Sequence, residues 1–107
     1  MGEFEELVLL TIAALEGEAY GVAIKDDIET RTKRPISIGS LHSTITRLED
    51  KEFVVSELGG ATKERGGRRK RYFRLTTFGV GALNRVKMQR DELWDVSKLK
   101  LETGNGH

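Results

Sequence analysis

Cysteine is absent from this 107-residue chain, proline occurs once, and aromatic residues make up 7%. The missing cysteine excludes a disulfide scaffold, a thiol nucleophile and a cysteine-ligated zinc. No apolar run approaches the roughly 18 residues that a membrane-crossing helix needs. The longest, Leu7 to Leu15, is interrupted by Thr11 and follows Glu3, Glu5 and Glu6, the wrong sign for a secretory leader. Met1-Gly2 opens like a myristoylation signal, but Glu6 stands where serine or threonine is required. A cytoplasmic chain with no membrane partner is expected. Hydrophobic residues are only 37% of the total, so some apolar surface is expected to be shared with a partner chain. The length is that of one domain.

Catalytic and cofactor signals are missing as well. There is no Ser/His/acid arrangement and no phosphate-binding loop. Gly66-Gly67 lies between two expected strands rather than opening a helix. His42 and His107 have no ligand set around them, and Asp26-Asp27 reads as a solvated helix surface. No enzyme, metal or cofactor is expected.

What is present is charge, unevenly placed. The formal net charge is +1, yet residues 1–30 hold eight acids and one base. Residues 63–74 hold seven bases and one acid. A basic block of this kind suits a polyanion, although a charge run is more commonly a solvated loop.

Periodicity supplies the architecture. Residues 3–15 read as a helix with a wide apolar arc. A second helix is expected from about Ala19 to Thr32, with Tyr20, Ile24 and Ile28 on one face. Pro35 stops it, and Ser37 then looks like an N-cap. In the third helix Ile38, Leu41, Ile45 and Leu48 form a narrow apolar stripe. Phe53 to Leu58 and Lys70 to Thr76 read as strands joined by a Gly-rich loop. Thr76 or Thr77 caps a last helix to about Leu101. The fold class is therefore α+β, mostly α: a winged helix-turn-helix over residues 1–76, a C-terminal helix over 77–101, and a tail over 102–107.

That order assigns the chemistry. The third helix offers Ser37, Gly39, Ser40, His42, Ser43, Thr46 and Arg47, small or hydrogen-bonding groups that fit a DNA major groove. Arg47 has a competing role, pairing with Glu49 or Asp50 on its own helix. The wing offers Lys63, Arg65, Gly66, Gly67, Arg68, Arg69, Lys70 and Arg71 to phosphates or the minor groove. Sides alternate along a strand, so these bases do not all face DNA together. The rival reading is a winged-helix module that binds protein and no DNA.

Several stretches resemble the PadR-type transcriptional regulators. Gly2-Glu3-Phe4-Glu5-Glu6-Leu7-Val8-Leu9 is similar to the family's first helix, and Ala19-Tyr20-Gly21-Val22-Ala23-Ile24 to the start of its second. Ser37-Ile38-Gly39-Ser40-Leu41-His42 with Arg47-Leu48-Glu49 matches its recognition helix. Glu64 through Thr76, followed by Gly79, matches its wing. Two positions depart: His42 stands where tyrosine is usual, and Glu52 where glycine usually ends the recognition helix, so an altered turn is expected there. The resemblance implies a homodimer, joined through the first and last helices, that binds a pseudo-palindromic operator and usually represses. It implies the short subgroup, with a single helix after the wing. Some members release DNA when a small aromatic compound binds near the dimer interface. On that footing Phe4, Val86, Leu93, Trp94 and Val96 are the candidates for dimer or ligand contact. Trp94 either packs the dimer or stacks on an aromatic inducer.

Overall fold

The computed structural model describes residues 1–59 and 70–104. Its elements run α1 (Glu3–Leu15), α2 (Gly21–Thr32), α3 (Ile38–Asp50), β1 (Val54–Leu58), β2 (Arg71–Leu75) and α4 (Thr77–Gly104). This is the winged helix-turn-helix order, mostly helical. Val8, Leu9 and Ile12 of α1 meet Ile24 and Ile28 of α2 and Leu41, Ile45 and Leu48 of α3, and Val54 and Phe73 close the core from the sheet. None of the described helices is long and apolar enough to cross a membrane.

The strands pair antiparallel, with Val54 opposite Leu75 and Leu58 opposite Arg71. A two-stranded ribbon is marginal alone, and the α1–α2 connection supports it. The Phe73 N–H donates to the Ala19 carbonyl (2.8 Å), and Tyr20 forms a bridge with Tyr72. The two tyrosine rings meet edge to face, 5.6 Å apart. Helix α2 therefore starts at Gly21, two residues later than the apolar spacing predicts. Ala19 and Tyr20 are spent on the sheet, and the backbone of Tyr20 is extended.

The turn after α3 is a second correction. Glu52 has φ +62°, the left-handed conformation that glycine would take there, so the turn is not altered. The Glu52 N–H donates to the Glu49 carbonyl and the Phe53 N–H to the Leu48 carbonyl, each at 2.9 Å. These are the paired bonds of a Schellman cap. Replacing Glu52 by glycine is expected to stabilise the fold by about 0.5–1 kcal/mol. It relieves left-handed strain of about 1–2 kcal/mol and gives part of it back in unfolded-chain entropy. Urea denaturation of the two proteins measures this, and a loss of stability would show that the glutamate side chain itself is needed.

Thr76 caps α4: its hydroxyl accepts from the Gly79 N–H at 3.0 Å and donates to the Glu52 carbonyl. The first turns of α4 pack on the body through buried Gly79 and Ala82, and further along Arg90 Nη2 donates to Glu6 Oε1 of α1 at 2.7 Å. The helix then runs on to Gly104, three residues beyond the expected end. Its length of about 42 Å accounts for an elongated molecule of 65 × 29 × 21 Å.

Candidate nucleic-acid interface

The position of α3 is fixed by the turn that precedes it. The Ser37 hydroxyl accepts from the Ser40 N–H at 3.0 Å, as an N-cap should. One turn earlier, the Glu29 carboxylate accepts from the Ile36 N–H at 2.8 Å and from Lys25 Nζ at 3.1 Å. The Ile36 N–H first, and Lys25 after it, hold the Glu29 carboxyl below the usual carboxylate range. A side chain of α2 thus completes the turn into α3.

Leu41, Thr44, Ile45 and Leu48 anchor α3 to the core. Ile38, expected in that stripe, is 44% exposed, and Thr44 takes its place. Thr44 is tolerated there because its hydroxyl accepts from Arg47 Nη2 at 3.1 Å. Ser37, Gly39, Ser40, His42, Ser43, Thr46 and Arg47 are all exposed, so the fold gathers every candidate of this helix on open surface. The Thr46 hydroxyl donates to the His42 carbonyl at 2.9 Å, within the helix.

The exposed surface of α3 has two flanks. On the wing side lies an open groove of about 940 Å³, bordered by Tyr20, Val22, Ile38, His42, Thr46, Lys70 and Arg71. The Lys70 ammonium sits 3.9 Å from the Tyr20 ring centroid, a cation–π contact. Arg71 Nη1 donates to Ser56 Oγ (2.9 Å), and that hydroxyl donates to Glu49 Oε2 (3.2 Å). This chain of bonds ties β2 to α3. On the α1 side, Arg47 Nε donates to Glu5 Oε2 at 3.4 Å, and Lys51 Nζ to Glu5 Oε1 at 2.7 Å. Arg47 therefore pairs across to α1, not with Glu49 or Asp50 along its own helix, because Glu5 stands within reach of its outer flank.

Of the wing candidates, Lys70 and Arg71 lie at the groove. Lys63, Arg65, Gly66, Gly67, Arg68 and Arg69 lie outside the described residues. The dimer candidates separate into two groups. Phe4 is half-buried against the chain's own core, and Val86 is half-buried. Leu93, Trp94 and Val96 are 65%, 68% and 53% exposed, an unusual density of open apolar surface on one helix. Leu93 and Trp94 border a shallow cleft with Arg90 and Ser97. Sequence reasoning missed Tyr20 and Val22 at the groove, Glu5 as the charged partner of α3, and Glu29 as the acceptor that closes the turn before it. Only Glu29 had a local signal, the i, i+4 spacing from Lys25.

Comparison with known proteins agrees with this geometry. Residues 9–85 match the transcriptional regulator PadR-like family. An uncharacterized protein of Lysinibacillus sphaericus is 30% identical over 103 residues, which cover 94% of this chain and 90% of the relative. The crystal structure of a PadR family transcriptional regulator from Eggerthella lenta is 30% identical, with a TM-score of 0.70 over 94% of this chain and 88% of the other. A PadR-like transcription factor from Bacteroides fragilis shares the fold at 23% identity, with a TM-score of 0.73 over 89% and 86% of the two chains. The chain belongs to the PadR-like family and is a DNA-binding transcriptional regulator, not an enzyme.

Proposed function

We propose that the chain acts as a homodimeric repressor that reads a pseudo-palindromic operator with the exposed face of α3. The observation that carries this reading is the face itself: Ser40, His42, Ser43 and Thr46 are exposed side by side, with Lys70 and Arg71 on the adjoining groove. Short polar side chains let the helix approach base edges, and the neighbouring bases attract the backbone. Residues 1–76 form the DNA-binding unit and 77–101 the dimerisation helix. The stripe that buries Gly79 and Ala82 continues beyond the body as Val86, Leu93 and Val96, at seven- and three-residue spacings. A second copy of α4 is the natural cover for it. A planar aromatic compound near Trp94 is the proposed release signal, and the cytoplasm is the proposed compartment.

The test begins with an operator selected by the protein from a random duplex pool. Arg71→Ala is expected to weaken binding to operator and random duplex alike and to flatten the salt dependence by about one unit. Ser40→Ala is expected to cost about 1–3 kcal/mol on the operator alone. If Arg71→Ala altered sequence preference and Ser40→Ala did not, the roles of helix and wing would be exchanged. Failure to enrich any sequence would favour the protein-binding alternative.

A further inference from the structure

From Ile38 to Lys51, the helix α3 and its C-cap carry two bases, Arg47 and Lys51. Both are engaged by one carboxylate from another helix. Glu5 reaches Arg47 Nε at 3.4 Å and Lys51 Nζ at 2.7 Å. The Glu5 side chain is only 12% exposed, whereas Arg47 and Lys51 are 54% and 43% exposed. The carboxylate is thus held in the fold while its two partners reach toward solvent. The hydrogen bond from Lys51 keeps the Glu5 carboxyl below the usual carboxylate range, despite the opposing effect of burial, so it is ionised at neutral pH. Glu6, the next residue, turns away to Arg90 of α4 at 2.7 Å and does not share this task.

Arg47 lies one turn after Ser43, on the flank of the face that approaches DNA. A free cation there binds phosphate on any sequence equally well. A cation already holding a carboxylate must exchange one anion for another. We infer that Glu5 is a specificity-determining residue: it occupies Arg47 and Lys51 as an internal substitute for phosphate, and so suppresses binding to non-operator DNA. Operator DNA, seated by base contacts, still engages α3, whereas random DNA is denied the two cations that would hold it regardless of sequence. This inference rests on α3 being the helix that faces DNA.

Glu5→Gln removes the charge and keeps a hydrogen-bonding amide. On a fluorescein-labelled 30-bp random-sequence duplex in rising KCl, this variant is expected to bind about tenfold more tightly at low salt. Its log K against log salt plot is expected to steepen by about one to two units, as one or two released cations add phosphate contacts. The ratio of operator to random affinity is expected to fall several-fold. Glu5→Gln/Arg47→Gln/Lys51→Gln is expected to lose the added steepness. Should Glu5→Gln fold only in part, the slope still decides, because a fixed inactive fraction lowers the apparent affinity without altering the slope. A carboxylate that only braces α1 against α3 would change the melting temperature and leave the slope as in the parent protein, and that result overturns the inference. So does a triple variant that keeps the steep slope. Ser43→Glu separates the two layers: if it leaves operator binding intact, α3 is not the DNA-facing helix. If it abolishes binding while Glu5→Gln leaves the slope unmoved, only the role of Glu5 fails.

Discussion

Replacing Gly79 by alanine is expected to destabilise the protein by about 3 kcal/mol, in spite of alanine's higher helix propensity. A Cβ built at Gly79 falls 2.2 Å from the Phe53 carbonyl oxygen and 3.1 Å from its carbon, both backbone atoms. That carbonyl cannot retreat freely. It accepts the Thr76 N–H at 2.9 Å, and the Phe53 N–H is bonded to Leu48. Moving it disturbs the cap of α3, the start of α4 and the sheet at once. For a chain of this size the melting temperature is expected to fall by about 10–20 °C. Gly81, two residues on, is the internal control. A Cβ there meets nothing closer than Arg85 Nη1 at 3.5 Å, an ordinary contact with a flexible side-chain end. Gly81→Ala is therefore expected to stabilise by about 0.5–1 kcal/mol through helix propensity alone. Thermal denaturation of the two variants decides the matter. Equal shifts of the same sign would show that the approach of Phe53 is not what demands glycine at position 79.

Which parts of this molecule were legible in the sequence follows from the range of the forces involved. Periodicity and local capping are short-range, so the four helices, the Ser37 cap and the two strands are readable from neighbours in the chain. The small polar face of α3 was readable for the same reason: it is the complement of its apolar stripe. The turn at Glu52 was misread because residue type was taken as the determinant of left-handed backbone. The Leu48 and Glu49 carbonyls in fact impose it, at a strain cost. The start of α2 was misplaced because Ala19 and Tyr20 fit a helical pattern locally but bond to β2, more than fifty residues away. Glu5 is the same case in electrostatics. Nothing near residue 5 announces Arg47 or Lys51, and the acidic first turn of α1 is fully explained by the helix dipole until the third dimension is known.

Aspartate at both Leu93 and Val96 is expected to split the proposed dimer and to reduce operator affinity by roughly 10²–10⁴-fold. That is the gain ordinarily provided by joining two binding modules. The argument starts from exposure. Leu93 and Val96 stand open on a helix whose earlier turns bury the same stripe, and none of the other described residues covers them. Two copies of α4 would cover each other, and two buried carboxylates per copy would prevent it. Sedimentation should then give the 12.0 kDa chain in place of twice that mass. Each half of the operator would be engaged singly, because the recognition helices would no longer be held about one DNA turn, 34–36 Å, apart. Trp94 reports on the same event. It is the chain's only tryptophan and is 68% exposed in the single chain. Its emission is expected to lie to the blue in the parent dimer and to shift red in the Leu93→Asp/Val96→Asp variant. The two Trp94 rings, brought near one axis, would flank a space suited to a planar aromatic compound. Such a compound is expected to quench the emission saturably. It would lower operator affinity only as far as it prefers the non-binding separation of the recognition helices. Titration with phenolic acids and planar aromatic cations tests this directly. Saturable quenching without loss of operator binding would mean a ligand that does not regulate. No quenching by any of them, with the dimer intact, would leave Trp94 as packing at the interface and remove the aromatic release signal from the proposed function.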